Sequence, residues 1–342
     1  MYKLMKICIS TVAMFFIATV FNSCGKDGGS EEVGFGEFNT HISLVGKPIS
    51  IGDSIPAVIG SVAAIEGGYL FYTYVSDYLL LISDDEFNNF RQIIKKGNGP
   101  NELSQVSGTF GQELDDKSLL SVFDPNAIAL YGFNPETPDS VSLYYEFPDN
   151  FRKYIPREVI KIKDGCYVAP REDRVYGMIS FDSKTGTIEE WPVGYDFKDS
   201  QNPQEDIISK RLVAYCPENG MVAETYGCFP RIILHNEQGR VIKVLTYDNY
   251  KERVDSQGML AECFMDMQMT SNHIWILYGD PHMDNQSRIF IVDYEGNGVA
   301  ELGISPAHQF AIDRKKRRVI AVNPNEEETG IMVYRIPDSI EI

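Results

Sequence analysis

The chain has 342 residues, with 49 Asp+Glu against 31 Lys+Arg and a formal net charge of −18. Nucleic acid is bound through basic surface that displaces counterions, so this balance argues against a nucleic-acid partner. Apolar content of 43% excludes wholesale disorder, and 28 Gly, 17 Pro, 19 Tyr and 19 Phe lean toward strands and turns.

Residues 1–23 read as an address and not as part of a fold. Lys3 and Lys6 open the chain, Ile7–Val20 is apolar, and Phe21-Asn22-Ser23 leads to Cys24. The apolar run is too short for an ordinary membrane span. The pattern resembles a bacterial lipoprotein signal. That resemblance implies cleavage before Cys24 and a lipid on Cys24, with Gly25 next in line fitting outer-membrane sorting. Phe21 stands where Leu is commonest in such signals. Removing residues 1–23 takes away two lysines and no acid, which moves the net charge to −20. Residues 24–37 are small, polar and acidic at their start, and are expected to form a flexible linker. Residues 38–342 are then expected to form one domain.

From Ala57 onward short apolar strands recur between tight turns. Glu66-Gly67-Gly68, Leu114-Asp115-Asp116-Lys117, Lys163-Asp164-Gly165, Pro217-Glu218-Asn219-Gly220, Thr270-Ser271-Asn272 and Asp313-Arg314-Lys315-Lys316 each precede a strand. A polar loop and a third strand follow every time. Asn236-Glu237-Gln238-Gly239 and Tyr294-Glu295-Gly296-Asn297 then introduce fourth strands. Six such units of about 48 residues predict an all-β, six-bladed propeller with four-stranded blades. The sixth unit lacks its fourth strand. His41–Val45 has strand alternation and is expected to supply it, closing the ring and removing an exposed edge.

Lys96-Gly97-Asn98-Gly99-Pro100-Asn101-Glu102-Leu103 resembles the Gly-x-Gly-Pro-x-Glu motif of TolB-like six-bladed propeller lipoproteins. The resemblance extends through signal, repeat number and this motif, and implies the same fold. Molecular roles in that family are largely unassigned.

Propeller topology assigns faces. Loops between second and third strands share one face, called the top, with the loops between blades. Candidate ligand-binding residues there are Tyr74, Asp77, Asp124, Asn126, Arg171, Arg174, Tyr226, Arg231, Asp280, His282 and Asp284. Aromatic rings beside guanidinium and carboxylate groups suit glycan or peptide recognition. The motif loop, Gly97, Gly99, Pro100 and Glu102, reads as a blade-joining turn with Glu102 bonding local backbone. Asp280-Pro281-His282-Met283-Asp284 alternates ligand-type side chains but has no second cluster, and Glu326-Glu327-Glu328 reads as a solvated loop. No nucleophile elbow or zinc-protease motif is present. His235 and His273 fall near bottom-face turns and are expected to be solvated.

Four cysteines remain beyond Cys24. The topology suggests Cys166–Cys216 and Cys228–Cys263 disulfides, with four free thiols as the alternative. The expected function is a lipid-anchored envelope module at the outer membrane that binds or scaffolds a glycan, peptide or envelope protein, without a cofactor. A hydrolase or lyase with a divalent cation such as calcium in the channel, resembling lactonases, is the first alternative. A structural subunit of an outer-membrane assembly is the second.

Overall fold

A computed structural model describes residues 31–52, 55, 58–74, 76–107, 110–138, 140–171, 177–191, 211–250, 262–279, 286–324 and 330–342. Three short strands come first: β1 (Glu31–Phe35), β2 (His41–Ser43) and β3 (Lys47–Pro48). Blade 1 follows as β4 (Val58–Ile65), β5 (Gly68–Tyr74), β6 (Tyr78–Asp84), β7 (Phe90–Lys96) and β8 (Glu102–Leu103). Blade 2 is β9 (Phe110–Glu113), β10 (Leu120–Asp124), β11 (Ala129–Phe133) and β12 (Val141–Glu146). A short helix, α1 (Asp149–Arg152), lies in the link to blade 3. Blade 3 is β13 (Ile160–Lys163), β14 (Cys166–Pro170), β15 (Met178–Asp182) and β16 (Thr187–Glu190). Blade 4 is β17 (Arg211–Cys216), β18 (Met221–Tyr226), β19 (Phe229–Asn236) and β20 (Val241–Tyr247). Blade 5 is β21 (Phe264–Met269), β22 (His273–Gly279), β23 (Ser287–Asp293) and β24 (Gly298–Ile304). Blade 6 contributes β25 (Gln309–Asp313), β26 (Arg318–Val322) and β27 (Ile331–Arg335).

Six separate sheets in this order make a six-bladed β-propeller. Within each sheet the strands β4–β7, β9–β12 and their counterparts pair as sequential antiparallel neighbours. The turns that join them follow local chemistry. Asp84, Asp116, Asp182, Asn236 and Asp293 each accept hydrogen bonds from backbone N–H groups two to four residues ahead. These side chains imitate a turn's own backbone bond, which is why Asp and Asn mark the hairpins.

A blade has two apolar faces and must bury both against neighbours. The core is therefore divided into seams. Phe110, Leu80 and Ile93 lie between blades 1 and 2, and Phe290, Ile276 and Leu234 between blades 4 and 5. Between blades 2 and 3, Phe147 touches Phe123, Tyr145, Phe151, Tyr167 and Phe181 with ring centroids 4.5–6.1 Å apart. Tyr69, Phe71 and Leu81 of blade 1 pack with Ala311, Ile320 and Ile331 of blade 6, and this seam completes the ring.

The N-terminal residues correct two expectations. Blade 6 does receive its fourth strand from the N-terminus, but the strand is β3: Lys47 pairs with Val333 and Pro48 with Met332. His41–Ser43 instead lies parallel to β24 of blade 5, with Ile42 opposite Leu302. The first strand, within the expected linker of residues 24–37, lies against β20 of blade 4. Two aromatic side chains explain the order. Phe35 and Phe38 are 3% and 9% exposed, and Phe38 stacks on Phe290 at 4.9 Å. Burying them holds the chain against blades 4 and 5 before it reaches blade 6. The result is a belt along three consecutive outer edges.

Two outcomes are expected. Tyr69 donates a 2.6 Å hydrogen bond from its hydroxyl to Asp313 Oδ2 across the closing seam. Tyr69→Phe should lower stability by about 1–2 kcal/mol, seen as a reduced urea midpoint at constant slope. A chain starting at His41 should lose the Phe35 and Phe38 anchors yet stay monomeric. A chain starting at Ile51 should expose β27 as an open edge and aggregate on size-exclusion chromatography. Equal behaviour of the two shortened chains would show that β3 does not close the ring.

Candidate functional site

The inner strands β4, β9, β13, β17, β21 and β25 surround a central cavity of about 550 Å³. All six contribute to its wall. Val62, Ala63, Phe110, Ile160, Val213, Met267 and Ala311 supply an apolar lining. Set into it are Gln112, Arg157, Glu158, Arg211, Asp266, Gln268 and Gln309. Alternation puts them there: Asp266 and Gln268 occupy every second position of β21, between Met265, Met267 and Met269.

Several of these groups tie one blade to the next. Asp266 Oδ1 accepts its neighbour's N–H from Met267 at 2.8 Å, and Oδ2 accepts the N–H of Phe310 in blade 6 at 2.9 Å. Gln112 Oε1 accepts the N–H of Lys161 in blade 3 at 3.0 Å. Arg211 donates from Nη1 to the carbonyl of Gly177 at 2.5 Å, and its guanidinium lies 5.4 Å above the ring of Tyr226. Gln309 Oε1 is buried without a hydrogen-bond partner. The wall thus presents guanidinium and amide groups, with Arg211 and Gln112 held by scaffold bonds, an arrangement suited to fixing a polar ligand.

The top-face candidates separate into distinct roles. Tyr74 is 47% exposed, sits edge-on to Tyr72 at 5.0 Å, and packs on the backbone of Gly60 in the inner strand. Asp77 is exposed, and its carbonyl accepts the N–H of Lys96. Asp124 is 3% exposed and serves the scaffold, accepting bonds from Ser104 N–H and Oγ–H and from the N–H of Asn126. Asn126 in turn donates to Ser104 Oγ and Gln105 Oε1.

Arg171 is buried, with Nη1 2.7 Å from Glu190 Oε2 and its guanidinium 4.8 Å above the Tyr154 ring. The Tyr154 hydroxyl donates to Glu190 Oε1, and that bond, together with Arg171, holds the Glu190 carboxyl below the usual carboxylate range. Tyr226 is buried, and its hydroxyl donates to Glu224 at 2.6 Å. Arg231 pairs with Glu32 of the belt at 3.4 Å. Cys24, Arg174, Asp280, His282, Asp284 and Glu326-Glu327-Glu328 lie outside the described residues.

The motif loop joins blades 1 and 2 through a local bond network. Glu102 Oε2 accepts the N–H of Gly99 at 2.9 Å, and Oε1 lies 3.3 Å from Lys95 Nζ. The Gly99 N–H, aided by Lys95, pulls the Glu102 carboxyl below its ordinary range. A side chain at position 97 would occupy the place of this carboxylate, which explains the glycine. Glu102 and Leu103 then pair in parallel with Lys95 and Lys96.

Three expectations need correction. Cys166, Cys216, Cys228 and Cys263 are free thiols, so neither expected disulfide is formed. Tyr215 reaches blade 3, its hydroxyl donating to the carbonyl of Ile162 at 2.7 Å. The next residue, Cys216, therefore points the other way, into the blade 4–5 core and away from Cys166. Cys228 and Cys263 do share the blade 4–5 junction, where the Cys263 N–H and Sγ–H both meet the Gly227 carbonyl. Burial pushes the Cys263 thiol up to about 12, which keeps it protonated. His235 and His273 are 0% and 7% exposed, not solvated, because strands β19 and β22 extend to include them.

No family model and no curated protein matches this sequence. Solved structures do share its fold. A member of the DUF4221 family from Bacteroides vulgatus aligns with TM-score 0.58 and 12% identity, over 85% of this chain and 97% of its own. A protein described as exported, from Bacteroides fragilis, gives 0.56 and 13%, over 90% and 100%. The calcium-binding protein regucalcin from Agrobacterium tumefaciens gives 0.54 and 11%, over 87% and 95%. At these identities the likeness is one of architecture, and it agrees with the six sheets in identifying a six-bladed β-propeller.

Proposed function

We propose that this chain is an exported, lipid-anchored envelope protein that binds or scaffolds a polar glycan or peptide at the mouth of its central cavity. The observation that carries this reading is the wall itself. A cavity of about 550 Å³ falls within the range of small-ligand sites, and Arg157 from the blade 2–3 link joins Arg211, Gln268 and Gln309 from three inner strands in its wall. Tyr74 adds an exposed ring that packs against Gly60 of the inner strand. The pattern Lys3–Cys24 supports export and lipid attachment, and the likeness to an exported propeller accords with it.

A channel hydrolase would need carboxylate or imidazole groups converging on an ion. Among the described residues no group of three His, Cys, Asp or Glu side chains does so. Asp266 is engaged by two backbone N–H groups of the scaffold.

The test is a screen of the soluble chain, residues 25–342, against glycan and peptide arrays, followed by calorimetry on any hit. Arg157→Ala and Gln309→Ala should each weaken binding about tenfold, equivalent to about 1.4 kcal/mol, with an unchanged melting transition. Binding unaffected by both variants would move the ligand away from the cavity. Silence on both arrays, with a stoichiometric divalent ion retained by the protein, would replace this reading with the hydrolase.

A further inference from the structure

Among the described residues, the seam between blades 3 and 4 is built differently from the other five. Its apolar contacts fall into two small groups. One contains Ile160, Val168, Met178, Trp191 and Val222, and the other Tyr226, Ile233 and Val244. Polar side chains lie with them. Glu224 on β18 is 1% exposed, His235 on β19 is 0% and Trp191, just past β16, is 4%.

The ladder explains why two of them meet. Val222 is opposite His235 and Glu224 is opposite Ile233 in the antiparallel pairing of β18 with β19. These four residues share one face, the face turned toward blade 3. Trp191 approaches from blade 3. Its indole packs on Gly239, where a larger residue would collide with it, and its ring lies 5.3 Å from the imidazole of His235.

Part of this cluster is satisfied internally. Glu224 Oε1 accepts the Tyr226 hydroxyl at 2.6 Å. His235 Nδ1 lies 3.4 Å from the Gly239 carbonyl. A carbonyl oxygen only accepts, so Nδ1 carries a hydrogen, and a neutral imidazole with that tautomer has its lone pair at Nε2. Three atoms remain, all buried and all without a hydrogen-bond partner: Glu224 Oε2, His235 Nε2 and Trp191 Nε1. Glu224 Oε2 and His235 Nε2 stand 3.7 Å apart, beyond direct hydrogen-bonding distance. Buried polar atoms are paired in folded proteins, with a protein group or with ordered water.

We propose that this seam is a binding site for a single water molecule, which joins Trp191 of blade 3 to Glu224 and His235 of blade 4. With Glu224 ionised and His235 neutral, the three atoms require one acceptor, for the indole N–H, and two donors, for the carboxylate oxygen and the imidazole lone pair. Water supplies both. A metal cation or an ammonium ion has no lone pair to receive the indole N–H. A chloride ion has no proton to give the carboxylate. Two hydrogen bonds of about 2.8 Å can converge across the gap between Oε2 and Nε2. The water is thus a structural part of a seam whose described apolar contacts fall into two small groups.

The experiment is a high-resolution crystal structure of the chain from residue 25, with anomalous data, paired with water-oxygen-17 relaxation dispersion in solution. The expected density is one water within hydrogen-bonding distance of all three atoms, with no anomalous signal. The double variant Glu224→Met/His235→Phe removes two of its partners and should lower the relaxation amplitude by one long-lived water. Trp191→Phe removes one and should shorten that water's residence time. The Trp191→Phe measurement and the wild-type density stand even where the double variant fails to fold. An anomalous scatterer at the site, a direct Glu224–His235 bond with no density between, or unchanged relaxation in a folded double variant would each overturn the proposal.

Discussion

Everything in this molecule depends on the pairing of Lys47 and Pro48 with β27. A propeller blade buries nothing by itself; each of its two faces is covered only by a neighbour. In a row of six sheets, two faces would remain bare. Bending the row into a ring covers them, and the last sheet needs a fourth strand to match the height of the first. Val333 and Met332 receive that strand from the other end of the chain. The seam of Tyr69, Phe71, Ala311 and Ile320 is then buried.

Around the ring, polar side chains set the register that apolar packing leaves loose. Tyr69 reaches Asp313, Gln112 reaches the Lys161 N–H, Tyr215 reaches the Ile162 carbonyl and Asp266 reaches the Phe310 N–H. Each crosses from one blade to the next. Such a bond contributes modestly to net stability, yet it is directional where hydrophobic contact is not. Gln112 and Asp266 face the central cavity, so the same bonds that align the blades also fix the shape of its wall.

The sequence made the repeated part of this architecture readable because turns have local chemistry. Asn236 and Asp293 announce hairpins through bonds to their own nearby backbone, and the strands after them start where the turns predict. The Gly97–Glu102 loop was readable for the same reason. Long-range choices were not. His41–Ser43 and Lys47–Pro48 are both short and both suited to an edge, and burial of Phe38 on Phe290 decides between them. Asp124 and Arg171 look like loop residues awaiting a ligand, but partners distant in sequence, Ser104 and Glu190, hold them inside. The alternation of Asp266 and Gln268 among methionines was a visible sign of the cavity wall, and strand polarity alone does not say which edge of a blade faces the axis.

The belt and clasp also order events in time. Synthesis produces β3 first among the elements of blade 6 and β27 last, so their contact spans nearly the whole sequence. Long loops are slow to close, and folds rich in distant contacts form late. Blades 1 to 5 can assemble by neighbouring contacts while Lys47 and Pro48 have no partner. Only when β27 exists does the first-made strand find its place. The clasp is therefore a completion check: a chain cut short before Ile331 has no β27 and no closed ring, and it leaves β26 as a permanent edge that β27 covers in the finished protein.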